Sequence, residues 1–105
     1  MSDHKKILIN ERVRLTNKLI RMGFQRENLE FNGKKHGRQS DTDARCVITY
    51  LVVRKSMQYG MGVAEAAESL RMTYANALAC YAKGKEAVRG NNRPFMARLI
   101  SELTK

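Results

Sequence analysis

The sequence predicts a small all-α domain that contains a helix-turn-helix, and three observations support it. Apolar residues recur at i, i+3, i+4 and i+7 over most of the chain. The β-branched residues sit inside that helical spacing, and no alternating run is flanked by hairpin turn residues. Between Val63 and Lys85 two helical patterns meet at the short turn Arg71-Met72-Thr73, the layout of a helix-turn-helix. A chain of 105 residues has room for one modest core. The expected organisation is a basic amphipathic N-terminal helix over residues 1–24 and a helix-turn-helix domain over 25–105, with a basic loop at 34–38.

The first helix is expected from Lys5 to Phe24. It carries Ile9, Val13, Ile20 and Phe24 in one apolar row, Leu8, Leu15, Leu19 and Met22 in a second, and Arg12, Arg14, Lys18 and Arg21 between them. Gly23 is a natural stop. So wide a stripe could dock on the rest of the domain, on a second copy of the chain or on a protein partner. Gln25 to Gln39 loses the periodicity at Asn28, Asn32, Gly33 and Gly37 and reads as a loop, its end concentrating Lys34, Lys35, His36 and Arg38. Ser40-Asp41-Thr42-Asp43 then supplies capping oxygens and negative charge to a central helix running to about Met57, with Ala44, Val47, Ile48, Leu51 and Val52 as its buried stripe.

Tyr59-Gly60-Met61-Gly62 breaks that helix. The next one spaces Val63, Ala66, Ala67 and Leu70 at helical intervals, and its small alanines allow a close crossing. After the turn, Tyr74, Ala77, Leu78 and Tyr81 are expected to face inward. Ala67, Leu70, Ala77 and Cys80 occupy the places that hold a helix-turn-helix pair at a fixed angle. The turn lacks the usual glycine, so a residue with a Cβ must accept the left-handed position or the turn must avoid it. Arg89 to Pro94 sets off a last helix, Phe95 to Leu103, anchored by Phe95, Leu99, Ile100 and Leu103.

The 20 Lys and Arg against 10 Asp and Glu leave a net charge of +10 and a pI near 10.1. This favours polyanionic partners, because each cation that meets a phosphate releases a condensed counterion. No stretch approaches the roughly 18 consecutive apolar residues of a membrane span. The N-terminus lacks an apolar region followed by a small-residue cleavage site. A cytoplasmic protein without a membrane partner is expected. Cys46 and Cys80 read as separate, buried, reduced thiols, since two of them make neither a zinc set nor a disulfide framework. No cofactor is expected.

The residues expected to face outward near the start of the second helix of the pair are Thr73, Ala75, Asn76 and Ala79, with Lys83 further on. An Asn amide presents a donor and an acceptor to adenine, a Thr hydroxyl bonds a phosphate or base edge while capping a helix, and an Ala methyl meets a thymine methyl. Arg71, Lys83 and Lys85 would serve phosphates. Lys34, Lys35 and Arg38 would reach the backbone or the minor groove, as basic arms do. The plainer alternatives are a solvated helix face and a solvated loop.

The run Ala44-Arg45-Cys46-Val47-Ile48-Thr49-Tyr50-Leu51 resembles the Ala-Arg-Gln-Val-Ala-Met-Tyr-Leu run in the C-terminal DNA-binding domain of the bacterial replication initiator DnaA family. The resemblance extends in order of parts over roughly residues 20 to 103. It implies a basic loop, a central helix, a helix-turn-helix and a closing helix, as in the Trp-repressor-like fold. By the same resemblance Lys34, Lys35 and Arg38 stand for a minor-groove loop, and Asn76 falls near the second Thr of the family's Asp-His-Thr-Thr signature. Thr73-Tyr74-Ala75-Asn76 keeps none of that signature's residues in place. No Gly-rich loop ending in Gly-Lys-Ser or Gly-Lys-Thr is present, so no nucleotide-driven initiation is expected of this chain.

The leading expectation is a DNA-binding protein for double-stranded DNA of unspecified sequence. The competing class is a protein-interaction module on the same fold that has lost groove reading. Exposure of Tyr74, Leu78 and Tyr81, or an acidic residue on the groove-facing surface, would favour the latter. RNA binding is less favoured, because no aromatic pair sits on a sheet platform. An enzyme is not expected: the sequence offers no nucleophile–base pair, useful carboxylate pair or metal set, and His4 and His36 stand alone.

Overall fold

A computed structural model describes residues 3–29, 39–90 and 92–105, and the described residues are all-helical in the order α1 (Asp3–Arg21), α2 (Arg26–Leu29), α3 (Gln39–Gln58), α4 (Val63–Leu70), α5 (Tyr74–Val88) and α6 (Pro94–Leu103). Helix α3 touches all five others. That position explains its sequence: Ala44, Val47, Ile48, Leu51 and Val52 are buried as expected, and so are Cys46, Thr49, Tyr50 and Val53. With neighbours on every side, α3 has no solvent stripe over its middle turns. Its first turn begins at Gln39, inside which Asp41 is buried.

Helix α1 buries Leu8, Leu15 and Leu19 and packs on α3, α4, α2 and α6. Its leucine row is therefore spent inside the domain, while Val13 and Met22 are exposed. Burying each such leucine contributes roughly 1.5–3 kcal/mol of gross stabilisation. The helix stops at Gly23, where φ is +109° and the Phe24 N–H reaches back to the Leu19 carbonyl at 3.1 Å. Lys18 Nζ donates to the Leu103 carbonyl at 3.3 Å, placing a cation on the C-terminal end of α6.

Two expectations about element boundaries and packing need correcting. The segment after Gly23 contains the single helical turn α2, whose Leu29 is buried, and Arg45 of α3 donates to the Asn28 carbonyl. One turn with one buried apolar residue leaves no period to read. In α6 the buried row is Met96, Leu99, Ile100 and Leu103, and Phe95 is 36% exposed. Pro94 takes the first helical position, and Met96 completes an i, i+3, i+4, i+7 row with Leu99, Ile100 and Leu103 that leaves Phe95 at its edge.

Candidate nucleic-acid interface

Helices α4 and α5 are joined by three residues, and each end of that connection is fixed by backbone chemistry. Ser56 Oγ donates to the Gly62 carbonyl at 2.8 Å, and the Gly62 N–H donates to Glu65 Oε2 at 2.9 Å, tying the start of α4 to the end of α3. Ala66, Ala67 and Leu70 are buried. Helix α4 closes when the Arg71 N–H bonds the Glu68 carbonyl at 3.1 Å and the Met72 N–H bonds that of Ala67 at 3.0 Å. Arg71 adopts the left-handed conformation, φ 57° and ψ 44°, so the position usually given to glycine is filled by a residue with a Cβ. That conformation costs roughly 1–2 kcal/mol for a non-glycine residue. Thr73 then caps α5, its Oγ1 accepting from the Asn76 N–H at 3.1 Å.

The inward face of α5 is Ala77, Gly84 and Ala87, with Cys80 and Tyr81 half-buried. Ala77 is 0% exposed, but Tyr74 is 55% and Leu78 44% exposed, against the expectation that both would face the core. The reason is the closeness of α5 to α3. A Cβ added at Gly84 would overlap the Cβ, Cγ and Cδ1 of Tyr50. At this closest approach only a residue without a side chain fits, while Tyr74 and Leu78 are turned to a flank. The Tyr50 ring, seated over Gly84, stacks on Tyr81 with centroids 5.5 Å apart.

All the sequence-selected residues on the turn and on α5 are exposed: Arg71, Thr73, Ala75, Asn76, Ala79, Lys83 and Lys85. They do not form one patch. At about 100° per residue, Asn76 and Lys83 share one flank of α5, while Lys85 lies about 200° from Lys83, on the flank of Tyr74 and Leu78. Lys85 Nζ sits 5.2 Å from the Tyr81 ring centroid. Ala75, Ala79 and Ala82 form the outermost ridge between the flanks, all exposed. Lys34, Lys35 and Arg38 lie outside the described residues.

Charge around this surface is mostly positive. From Arg71 to Lys85 the chain has three cations and no Asp or Glu. Two carboxylates accompany it: Glu68, before the turn, pairs with Lys5 at 2.9 Å, and Glu86, seven residues after Ala79 and exposed on the same ridge, pairs with Arg93 at 3.2 Å. Arg54, which sequence reasoning missed, adds a cation beside the Lys85 flank, with its Cζ 5.7 Å from the centroid of the Tyr50 ring that stacks on Tyr81. The available signal was its position four residues after Tyr50, on the same face of α3.

Cys46 and Cys80 are not separate thiols. Their Sγ atoms are 3.0 Å apart across the α3–α5 contact, and both are free. Comparison of the chain with protein-family models, curated proteins and solved structures returns no match. No group of three metal-ligating side chains occurs among the described residues, and none of their helices is long and apolar enough to cross a membrane.

Proposed function

We propose that this chain is a small DNA-binding protein in which α4 and α5 act as a helix-turn-helix of the initiator-like kind, with α5 entering the major groove. The carrying observation is the exposed face from Arg71 to Lys85, which holds three cations, Thr73 and Asn76 around the alanine ridge, while Glu86 at the C-terminal end of that ridge is paired with Arg93. The alanine ridge supports the same docking, because small outward residues let a helix backbone approach the groove floor. Asn76 and Lys83 would then meet one wall of the groove, and Tyr74 and Lys85 the other. Asn76 is the candidate for adenine, Ala75 and Ala79 for thymine methyls, and Arg71 and Thr73 for the backbone at the helix start. Lys34, Lys35 and Arg38 would add phosphate or minor-groove contacts. The protein would act by binding, without catalysis or cofactor, in the cytoplasm.

Titration with mixed-sequence duplex DNA tests this. The three cations Arg71, Lys83 and Lys85 alone predict a roughly 40-fold loss of affinity between 50 and 200 mM salt, and contacts from Lys34, Lys35 or Arg38 would steepen it. Absence of binding at low salt, or binding without a salt slope, overturns the reading. Asn76→Ala should change sequence preference, and Lys34→Ala should weaken all sequences alike.

The exposure of Tyr74 and Leu78, with the acidic Glu86 on the outward ridge, favours a second reading, in which this flank of α5 docks on a protein partner. Under it, Leu78→Ser abolishes partner binding, whereas Lys83→Gln does not. Under the DNA reading Lys83→Gln weakens binding and lowers the salt slope by about one.

A further inference from the structure

The α3–α5 contact brings together the only two cysteines of the chain, one turn of α5 beyond Asn76. Cys46 is 4% exposed and Cys80 is half-buried, so one sulfur is closed off and its neighbour is within reach of a small solute. Their Sγ atoms are already 3.0 Å apart, and a disulfide needs about 2.0 Å. Closing that gap asks the two sulfurs to approach by about 1 Å. We propose that Cys46 and Cys80 are a redox modification site, forming a reversible intramolecular disulfide on reaction with a hydroperoxide.

The division of labour follows from the surroundings. The hydrogen bond from Cys46 stabilises a thiolate at Cys80 against the opposing effect of burial, and Lys83, Thr49 and Arg45 add to it, bringing Cys80 down to about 7. Cys46 is pushed up by the same pairing and by burial, so it holds its proton. The thiolate is the nucleophile in such chemistry. Cys80 Sγ attacks one peroxide oxygen, the O–O bond breaks, and the leaving alkoxide or hydroxide takes a proton, giving Cys80 sulfenic acid and an alcohol or water. Cys46 Sγ then attacks Cys80 Sγ. The S–O bond breaks, the departing oxygen takes the Cys46 proton as water, and the S–S bond forms. Two thiols lose two electrons and the peroxide gains them. A dithiol reductant reverses the change by exchange.

The test uses the full chain, reduced, dilute and treated with a few equivalents of hydrogen peroxide, then alkylated and mapped by peptide mass spectrometry. Peptide-level assignment is needed because the chain has six methionines that also oxidise. The expected product is a monomer with a Cys46–Cys80 linked peptide pair, no alkylation at either position, and full recovery with dithiothreitol. Its formation should accelerate as pH rises through about 7. Cys46→Ser should stop at a sulfenic acid on Cys80 that dimedone traps, and Cys80→Ser should leave Cys46 unoxidised. Unreacted thiols, disulfide-linked dimers, or sulfinic acid on Cys80 with Cys46 still alkylatable in the unsubstituted protein would overturn the proposal. The linked peptide is read without reference to DNA, so it stands or falls apart from the function proposed above.

Discussion

Helices α3 and α5 pack against each other with different kinds of residue. From Cys46 to Val53 helix α3 is buried all round and is dominated by Val, Ile, Leu and Tyr, whereas α5 meets it through Cys80 beside Cys46, Gly84 under Tyr50 and Tyr81 stacked on the same ring. The difference follows from position. A central helix must fill space toward several neighbours, while an outer helix that approaches closely brings small side chains to the nearest point and a larger one, Tyr81, only beside it. Its large residues, Tyr74 and Leu78, are thereby left for solvent or a partner. A small-residue seam is thus what frees one face of α5 to meet another molecule.

That contrast can be broken by substitution, with urea unfolding as the measurement. The largest loss is expected on the α3 side. Ile48→Ala removes a fully buried branched side chain from the centre and should cost about 2–5 kcal/mol. On the α5 side the same loss should come from adding atoms. Gly84→Ala should gain about 1 kcal/mol of helix propensity but lose more to the clash with Tyr50, for a net cost of roughly 1–2 kcal/mol. If Gly84→Ala stabilises the protein instead, the close α3–α5 seam is wrong. Thr73→Ala removes the cap of α5 and should cost about 1 kcal/mol. The smallest effect is expected on the exposed flank, where Tyr74→Ser should change stability by less than about 0.5 kcal/mol. A large loss there would place Tyr74 in the core after all.

The helical class, the central position of α3, the three-residue connection and the cap at Thr73 could be read from the sequence because each depends on local chemistry. Spacing reports which residues are apolar, and caps and turns act within a few residues. The orientation of α5 could not be read in the same way. The expected Tyr74, Ala77, Leu78 and Tyr81 and the observed Ala77, Cys80, Tyr81, Gly84 and Ala87 share Ala77 and Tyr81 and both have helical spacing, and only the distance to α3 decides between them. The same distance brings Cys46 to Cys80 and Gly84 beneath Tyr50, contacts between residues 34 positions apart in both cases. Met96 takes the place of Phe95 in the core while Leu99, Ile100 and Leu103 stay as expected, because both 95 and 96 fit helical spacing with that row and packing against the other helices decides between them. The candidate contact residues on the turn and on α5 were identified as exposed, but their division between two flanks emerged only with the helix in place.

The most direct test of DNA binding by α5 is a map of amide chemical-shift changes on adding a short duplex. The account predicts changes clustered over residues 71–85, on both flanks of α5, together with 34–38. Changes confined to α1, or none at saturating DNA and low salt, would contradict it.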